Sequence, residues 1–404
     1  MGEPSPILVF NAGSSTLKYR LILGDHSLRA GVVEHVGERG GPTDYGDAVT
    51  SALADLRSAT PAPSDDPRTG DEPRPADESS AVNKPAAVER PWAVGHRVVH
   101  GGTELRSPTV IDDDVLAAIE RWTPLAPAHN PAALAVIRAA RAAFADIPHV
   151  AVFDTAFHAT LPEAASTYAI DRAVAAAHGI RRYGFHGISV RYVRDRAAEL
   201  LGRPADGLNM IVLHLGNGAS ATALAGGVSV DTSMGMTPLA GLVMGRRSGD
   251  LDPAITFHLV RDGWATDEID ALYEKRSGLA GLSGSNDVRT VQQRASDGDA
   301  HARLALDVYC RRIRHYIGAY HAVLGRLDAI VFTAGVGEHS AVVRGRALDG
   351  LAPLGIEVDD TANAGAQPPC VISAASSRVA VCVVATDEEQ AIAEEIVTLL
   401  GRRG

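Results

Sequence analysis

Three features are scarce in the 404-residue sequence: cysteine, surplus positive charge and long apolar runs. The three cysteines, Cys310, Cys370 and Cys382, are far apart and odd in number, which favours a reducing compartment over a disulfide-stabilised fold. A net charge of -11 argues against a general binder of nucleic acid or anionic membrane, because nothing supplies a basic face. No stretch reaches membrane-spanning length, and the first residues lack the basic segment of a signal peptide. We therefore expect a soluble cytoplasmic protein without a nucleic-acid or membrane partner.

The length of the chain allows two or three domains with sizeable cores. One stretch, 60–91, differs in composition: it is dense in Pro, Asp, Glu, Ser and Arg and nearly free of large apolar residues. Such a composition cannot bury a core face. We predict a flexible surface insertion there, not a domain.

The most unusual stretch is 231–254, DTSMGMTPLAGLVMGRRSGDLDPA, which contains four glycines and the adjacent Arg246 and Arg247. Its apolar residues recur with neither the 3.6-residue period of a helix nor the two-residue period of a strand, so we predict a long loop. Glycines allow close backbone approach to a ligand, and an arginine fork suits carboxylate or phosphate. The alternative is a loop whose arginines form structural pairs with Asp250 and Asp252.

A strand–turn–strand pattern occurs twice, around 11–18 and around 215–220. In the first turn, backbone N–H groups with Ser14, Ser15, Thr16 and Lys18 suit phosphate oxygens, although the spacing of a Walker A loop is missing. Each pattern alone is as well explained by a plain hairpin. The repetition indicates a duplicated architecture with a phosphate-facing turn in each half.

Four polar side chains stand at the ends of predicted elements or between glycines. Arg97, in a strand flanked by glycines, suits a pocket floor or a salt-bridged core. His129 lies where Pro131 opens a helix, a place that favours anions. Asp154 follows a buried strand, a common position for residues that bind a metal or transfer a proton. A role as a helix N-cap would also explain an acid at this position. His186 lies between glycines and has little reason to be in the core.

Three later stretches suit a nucleotide and its metal. The loop around 284–289 places an acid and a base where a ribose or base edge could bind, and Gly-x-Gly at 335–337 follows a strand. Near the C-terminus, Thr386 and Glu389 match a capping box, which leaves Glu388 available for a magnesium shell.

Together these segments closely resemble the acetate kinase family of the acetokinase group over the whole chain except 60–91. The matching segments are NAGSSTLK at 11–18, GHRVVHGG at 95–102, PAHNP at 127–131, VFDTAFH at 152–158, YGFHG at 183–187, HLGNGAS at 214–220, the stretch 231–254, TAGVGE at 333–338 and TDEE at 386–389. The resemblance implies an α/β fold of two ribonuclease H-like (actin-like ATPase) lobes with ATP in a cleft. It also implies reversible, Mg²⁺-dependent phosphoryl transfer between ATP and acetate, with Mn²⁺ as a possible substitute.

The resemblance assigns roles to individual residues. Catalysis falls to Asp154, His186 and Arg247, substrate binding to Arg97, His129, Val99, Phe185 and Pro238, and the metal to Asn11 and Glu388. Nucleotide contacts fall to Lys18, His214, Leu215, Gly216, Asn217, Gly218, Asp287, Val288, Arg289, Gly335, Val336, Gly337, Glu338 and His339. Arg97 would bind the carboxylate and Arg247 the phosphoryl group. Because a carboxylate substrate is already ionised at pH 7, we expect Asp154 to orient Arg97 or hold metal water instead of acting as a base.

The family also implies an organisation and a partner. We expect an N-terminal lobe of 1–154 plus 388–404 and a C-terminal lobe of 155–387. The second lobe would bind the nucleotide and form a homodimer.

Three departures from the family pattern keep alternatives open. Val190 replaces a supporting histidine, and His339 replaces an asparagine near the adenosine. Ala128 replaces a leucine of the acetate methyl pocket, which would leave room for about one methylene, worth about 0.8 kcal/mol. A propionate or short-chain carboxylate kinase is therefore the runner-up. An inactive relative and an actin-like nucleotide-binding scaffold are further alternatives that an assay of turnover separates.

Overall fold

A computed structural model of the chain describes residues 5–13, 15–58 and 90–401. The predicted insertion at 60–91 lies outside the described residues except for its last two positions, and so does Ser14. No helix within the described ranges combines the length and apolarity needed to cross a bilayer.

The described strands form two sheets of six strands each. They are β1 Ile7–Ala12, β2 Leu17–Leu23, β3 His26–Val33, β4 Ala93–Val98, β5 Thr109–Val110, β6 His149–Phe153, β7 Met210–Leu215, β8 Ala219–Ala225, β9 Val228–Thr232, β10 Ala329–Thr333, β11 Cys370–Val371 and β12 Ala380–Val383.

The α-helices cover the sheets and connect their strands. They are α1 Tyr45–Arg57, α2 Asp113–Arg121, α3 Asn130–Ala143, α4 Glu163–Ser166, α5 Arg172–His178, α6 Gly187–Leu200, α7 Ala254–Arg261, α8 Thr266–Lys275, α9 Gly278–Ser283, α10 Val288–Ser296, α11 Ala300–Leu324, α12 Ala334–His339, α13 Ala341–Leu348, α14 Asp360–Ala364 and α15 Glu388–Leu400. Short 3₁₀ helices span Thr123–Leu125, Ala156–Thr160, Ala205–Gly207 and Ala352–Leu354.

The two sheets share one strand order. The first runs β3-β2-β1-β4-β6-β5, and the second, read from β9, runs β9-β8-β7-β10-β12-β11. In each, an antiparallel meander leads to a parallel neighbour of its first strand, β4 beside β1 and β10 beside β7. The predicted α/β fold with two lobes and the predicted duplication are therefore confirmed.

The chain folds into two compact units, each built from segments that are discontinuous in sequence. Unit 1 holds Met1–Val98, Pro108–Val152 and Ile392–Gly404, and unit 2 holds Val99–Ser107 and Phe153–Ala391. The lobe boundaries expected from the family resemblance stay a prediction.

In unit 1, helices pack against one face of the meander. Leu8 and Phe10 of β1 form a core cluster with Leu53 of α1 and Val136 of α3. Burying an apolar side chain of this size stabilises the fold by about 1.5–3 kcal/mol. This packing fixes the end of β1, where the turn with the first phosphate candidates begins.

In unit 2, α6 packs across the second sheet. Val193 and Ala197 of this helix join a core cluster with Val212 of β7 and Val331 of β10. Since β7 and β10 are parallel, with His214 opposite Thr333, their carboxyl ends lie at one edge of the sheet. The loops that follow these strands therefore start close together, as in other open α/β sheets where ligands bind.

Candidate active site

The first hairpin brings together the polar candidates of unit 1. Asn11 and Lys18 are directly opposite in the β1–β2 ladder, so their side chains share one face. The turn between them closes with a hydrogen bond of 2.8 Å from the Gly13 N–H to the carbonyl of Thr16. Lys18 is exposed, whereas Asn11 is buried and its Oδ1 accepts from Nη1 of Arg97 at 3.1 Å. The structure thus places Asn11 beside both Lys18 and Arg97.

His129 lies at the N-terminus of a helix, as its position before Pro131 predicts. It is the N-cap residue of α3, and the proline occupies the first turn. The helix N-terminus carries partial positive charge and exposed N–H groups, which suit an anion.

In unit 2, Asp154 is tied to the start of α6 beside His186. Asp154 is 1% exposed, and its backbone carbonyl accepts from the Gly187 N–H at 2.9 Å. A Cβ at Gly187 would lie 2.3 Å from that carbonyl, so only glycine fits there. The following 3₁₀ helix has Thr155 as its N-cap, so the helix-cap explanation of Asp154 is wrong.

His186 is held in an unusual backbone conformation next to a second histidine. Its φ of 59° is left-handed, which is uncommon and costly for a non-glycine residue. Its ring stacks on that of His214, with centroids 4.1 Å apart and planes 19° apart. A serine hydroxyl lies at each Nδ1: Ser220 Oγ at 3.0 Å for His186, and Ser189 Oγ at 2.8 Å for His214.

The Nε2 atoms of both histidines face the turn between β7 and β8. A Cβ placed on Gly218 would lie 3.4 Å from Nε2 of His186 and 3.9 Å from Nη1 of Arg247. One placed on Gly216 would lie 3.7 Å from Nε2 of His214. Two imidazoles and a guanidinium therefore converge on a turn that has no side chain at either glycine.

Arg247 is aimed by a carboxylate that the sequence did not reveal. Its Nε donates to Oε2 of Glu274 on α8 at 2.6 Å, with both side chains about a quarter exposed. This ion pair uses one edge of the fork, while Nη1 lies near the glycine turn. An arginine so held is oriented before any anion arrives.

The stretch around Arg247 is an ordered loop, as predicted, with no helix or strand in the fully described segment between β9 and α7. The alternative pairing of its arginines with its own acids is not what orients Arg247. Asp250 instead accepts from the Gly241 N–H at 2.7 Å and the Tyr316 hydroxyl at 2.6 Å, and pairs with Arg312. These bonds fix the loop on helix α11.

A cavity of about 670 Å³ lies beside this turn within unit 2. Its walls include residues from three of the segments expected to contact a nucleotide, 214–218, 287–289 and 335–339. The lining residues are Gly216, Asn217, Gly245, Leu279, Asn286, Asp287, Val288, Arg289, Gln292, Tyr309, Gly335, Val336, His339 and Ser340. Other expected nucleotide residues, namely His214, Leu215, Gly218, Gly337 and Glu338, flank the cavity in sequence without lining it. The volume is typical of a small-molecule site.

Two of the lining residues, Asp287 and Arg289, bind each other at the start of α10. Asp287 is the N-cap, accepting from the Arg289 N–H at 2.9 Å, and its carboxylate pairs with the Arg289 guanidinium at 2.9 Å. The guanidinium holds the pKa of Asp287 below its usual range. Since Arg289 is 91% exposed, the pair leaves it able to move toward a ligand.

On the cavity wall, His339 donates from Nδ1 to the carbonyl of Gly335 at 3.0 Å, because a carbonyl can only accept. When the ring is neutral, its Nε2 is therefore an acceptor. Helix α12, which ends at His339, starts at Ala334 with a left-handed φ of 63°, a second strained position near the cavity.

The predicted capping box at the start of α15 is wrong by one residue. Asp387 is the cap, and its Oδ1 accepts from the Gln390 N–H at 2.9 Å. The Thr386 hydroxyl instead lies 2.7 Å from that of Ser189, because the chain turns toward α6 before the helix begins. Glu388 is half-buried at the first helical position. No group of three or more metal-ligating His, Cys, Asp or Glu side chains occurs among the described residues.

Three residues, Val99, Phe185 and Pro238, are expected to contact the apolar part of the substrate. Phe185 is 1% and Val99 5% exposed in unit 2, and Pro238 is half-buried in the loop before α7. His100 packs edge-on to Phe185 with ring centroids 5.5 Å apart, and burial lowers the pKa of His100 to about 4. This histidine is therefore neutral at pH 7 and supports an apolar wall.

No local pattern pointed to Ser189, Ser220 or Glu274. Each acts through a side chain far away in the chain, and isolated serines or glutamates in helices and strands are too common to single out. Only the tertiary structure places them.

The fold and the converging polar groups define a two-lobed α/β protein whose second lobe is suited to bind a phosphate-bearing ligand. The chain belongs to the acetokinase family, whose family model matches residues 6–394.

Individual relatives match along the whole length. The chain is 54% identical over 425 residues to an acetate kinase of Streptomyces griseus subsp. griseus, covering 100% of this chain and 98% of the relative. It is 52% identical to an acetate kinase of Clavibacter michiganensis subsp. michiganensis, covering 96% and 98%.

Solved structures also match over nearly the whole chain. The acetate kinase of Porphyromonas gingivalis superimposes with a TM-score of 0.85 at 38% identity, covering 98% of this chain and 100% of that one. A propionate kinase of Francisella tularensis subsp. tularensis gives a TM-score of 0.84, also at 38% identity, covering 97% and 98%.

Proposed function

We propose that the protein is an acetate kinase, which transfers the γ-phosphoryl group of ATP to acetate and gives ADP and acetyl phosphate, reversibly. The observation that carries the proposal is the convergence of His186 Nε2 and Arg247 Nη1 on the glycine turn beside the cavity. Phosphoryl transfer needs positioning and charge neutralisation more than covalent help, and these groups supply both.

In this proposal the nucleotide occupies the cavity and its phosphates extend along the turn from Gly216 to Gly218. A glycine turn exposes backbone N–H groups and admits phosphate oxygens at close range. Arg247, oriented by Glu274, neutralises charge on the transferring group. His186, whose Nε2 lies near the same glycine, stabilises the transition state. Each donor of this kind contributes about 2.7–4 kcal/mol in a water-poor site.

Acetate is the nucleophile in this reaction. A carboxylate oxygen forms the new P–O bond while the bond between the γ-phosphorus and the ADP oxygen breaks, and no proton has to be removed because acetate is ionised at pH 7. We assign Arg97 to the carboxylate, with His129 in support. Asp154, which is 1% exposed, orients other groups or holds metal water.

Mg²⁺ would neutralise the nucleotide phosphates. Protein sites usually hold this ion through one or two side-chain oxygens together with substrate phosphates and water. The amide oxygen of Asn11 and the carboxylate of Glu388 are donors of the required hard-oxygen type, and Lys18 adds a positive charge beside Asn11. We assign Asn11 and Glu388 to the metal, and Mn²⁺ is an expected substitute.

A second copy of the chain is the proposed partner. Helix α7, which is described in full, has no buried residue, although it carries Ile255, Phe257 and Val260, which are 39%, 60% and 46% exposed. An eight-residue helix is not stable in water on its own, so such an apolar face needs a cover. We propose that α7 forms the homodimer interface of the C-terminal lobe, 155–387. Phe257→Asp should convert a dimer to a monomer in sedimentation, whereas Asp262→Asn should not.

We also propose that the enzyme works in the cytoplasm. Its three cysteines are unpaired, as expected in a reducing compartment, and ATP is a cytoplasmic co-substrate.

Propionate kinase activity is the second candidate. It is favoured by Ala128, which is exposed on the segment before α3, and by the similarity to a propionate kinase structure. A hydroxamate assay with ATP, Mg²⁺ and acetate, propionate or butyrate tests both candidates. We expect turnover with acetate; a kcat/KM for propionate well below a tenth of the acetate value would exclude the relaxed pocket. No turnover with any acid would refute both candidates.

A further inference from the structure

A chain of hydrogen bonds connects the stacked histidines to the wall of the nucleotide cavity. Ser189, which is fully buried on α6, has its Oγ 2.8 Å from Nδ1 of His214 and 2.7 Å from Oγ1 of Thr386. The Thr386 backbone N–H donates to Oε1 of Glu338 at 3.2 Å. Glu338 belongs to α12, and Gly335 of the same helix lines the cavity.

The position of Ser189 is fixed on both sides. It lies in the first turn of α6, the helix whose N-cap is His186, and it has no exposed surface. Its hydroxyl carries one proton and can accept two hydrogen bonds. The hydroxyl therefore can donate either to His214 or to Thr386, but not to both at once.

These two arrangements give His214 different tautomers when its ring is neutral. If Ser189 donates to Nδ1, the ring proton is on Nε2; if Ser189 accepts from Nδ1–H, Nε2 is an acceptor. Nε2 faces Gly216 on the proposed phosphate turn. Only an N–H at that position attracts a phosphate oxygen.

We infer that Ser189 is a positioning residue: it accepts from the Thr386 hydroxyl, donates to Nδ1 of His214, and so keeps a donor N–H on Nε2 toward the nucleotide phosphates. The inference rests on the proposed kinase function for its ligand, ATP. The stacked His186 has a matching hydroxyl in Ser220, at 3.0 Å from its Nδ1.

The tautomer is measured directly by nitrogen NMR of the full-length protein labelled with ¹⁵N-histidine. The His214 signals are those that disappear in His214→Gln. We expect wild type to show Nδ1 unprotonated and Nε2 protonated. In Ser189→Ala the fixed tautomer should be lost, giving averaged nitrogen shifts. A His214 ring with its proton on Nδ1 in wild type, or unchanged shifts in Ser189→Ala, would overturn the inference.

Kinetics provide the second readout. Ser189→Ala should raise the KM for ATP about tenfold and change the KM for acetate less than twofold, in line with the effect of removing a group that orients a ligand. Equal losses for both substrates, with wild-type thermal stability, would contradict a role directed at the nucleotide.

Thr386 offers a matched pair of variants. Thr386→Ser keeps the hydroxyl and should retain wild-type KM for ATP, whereas Thr386→Val keeps the shape, loses the donor and should raise that KM severalfold. Equal behaviour of the two variants would overturn the chain of donors. If wild type showed no turnover at all, the proposed function would fail, while the imidazole spectra would still decide this inference.

Discussion

The two hairpins of the molecule have the same place in their sheets but different surroundings. In the first, β2 alternates between buried and accessible positions, and Lys18 stands exposed after a turn rich in hydroxyls. In the second, β8 is buried along nearly its whole length, and the turn is bordered by stacked histidines and Arg247. The same strand topology thus presents an exposed charge in one unit and a preorganised set of donors in the other.

The largest effect should follow from removing the guanidinium that approaches the second turn. Arg247→Ala should lower kcat about a thousandfold, as expected for the loss of a preorganised charge at a transferring phosphoryl group. The adjacent, exposed Arg246 is the matched control, and Arg246→Ala should stay within about twofold. Steady-state hydroxamate kinetics measure both. Similar losses in the two variants would mean that general positive charge, not orientation by Glu274, is what matters.

Replacing a glycine by alanine in each turn tests whether the two turns differ in function. Gly218→Ala places a Cβ 3.4 Å from Nε2 of His186, in the space we assign to phosphate, and should lower kcat/KM for ATP about ten- to a hundredfold. Gly13→Ala places a Cβ 2.5 Å from Oγ1 of Thr16, so the Thr16 side chain must move and the protein should lose some stability.

Thermal unfolding and kinetics together separate these outcomes. We expect Gly218→Ala to keep a wild-type melting temperature. A Gly218→Ala enzyme that is stable and fully active would show that the phosphates do not bind at that turn.

The first sheet should also show a pH dependence of its own. His149 donates from Nε2 to the carbonyl of Phe144 at 3.1 Å, so its Nδ1 accepts from Nε2 of His96 at 3.0 Å. Burial lowers the pKa of His96 and of His149, which keeps both neutral. The unfolded chain therefore binds more protons as the pH falls below about 6.5. The stability they contribute is complete above that pH and is lost as the pH decreases toward the folded-state pKa values.

Urea unfolding at pH 7.5 and pH 5 tests this behaviour. Wild type should be less stable at pH 5, by at most about 2 kcal/mol for each of the two histidines, because pH 5 is about 1.5 units below 6.5 and each unit is worth about 1.4 kcal/mol. His96→Gln should make the dependence shallower, while the exposed His258→Gln should leave it unchanged. An equally steep dependence in His96→Gln would assign the acid sensitivity to other groups.

The smallest effect concerns substrate choice in the first unit. Ala128→Leu should fill the space that the one additional methylene of propionate occupies, which is worth about 0.8 kcal/mol, so the propionate-to-acetate ratio of kcat/KM should fall about fourfold. Competing hydroxamate assays measure the ratio. An unchanged ratio would show that Ala128 does not border the methyl pocket.

Local sequence patterns predicted much of what the structure contains. The strand–turn–strand repeats became equivalent hairpins, the glycine-rich stretch became a loop, and Pro131 opened α3 behind His129. These succeed because turns, caps and loops depend on residues that are close in the chain. The capping box at Thr386 failed because a tertiary partner, Ser189, takes its hydroxyl.

The sequence alone determined which chemical groups are available: the fork of Arg247, the imidazoles of His186 and His214, and the glycines of the second turn. The tertiary structure decided how they are aimed. Ser220 and Ser189 hold the two imidazoles, and Glu274 holds the guanidinium. Orientation depends on hydrogen bonds between residues that are distant in the chain, and no local spacing records which distant partner a side chain will meet.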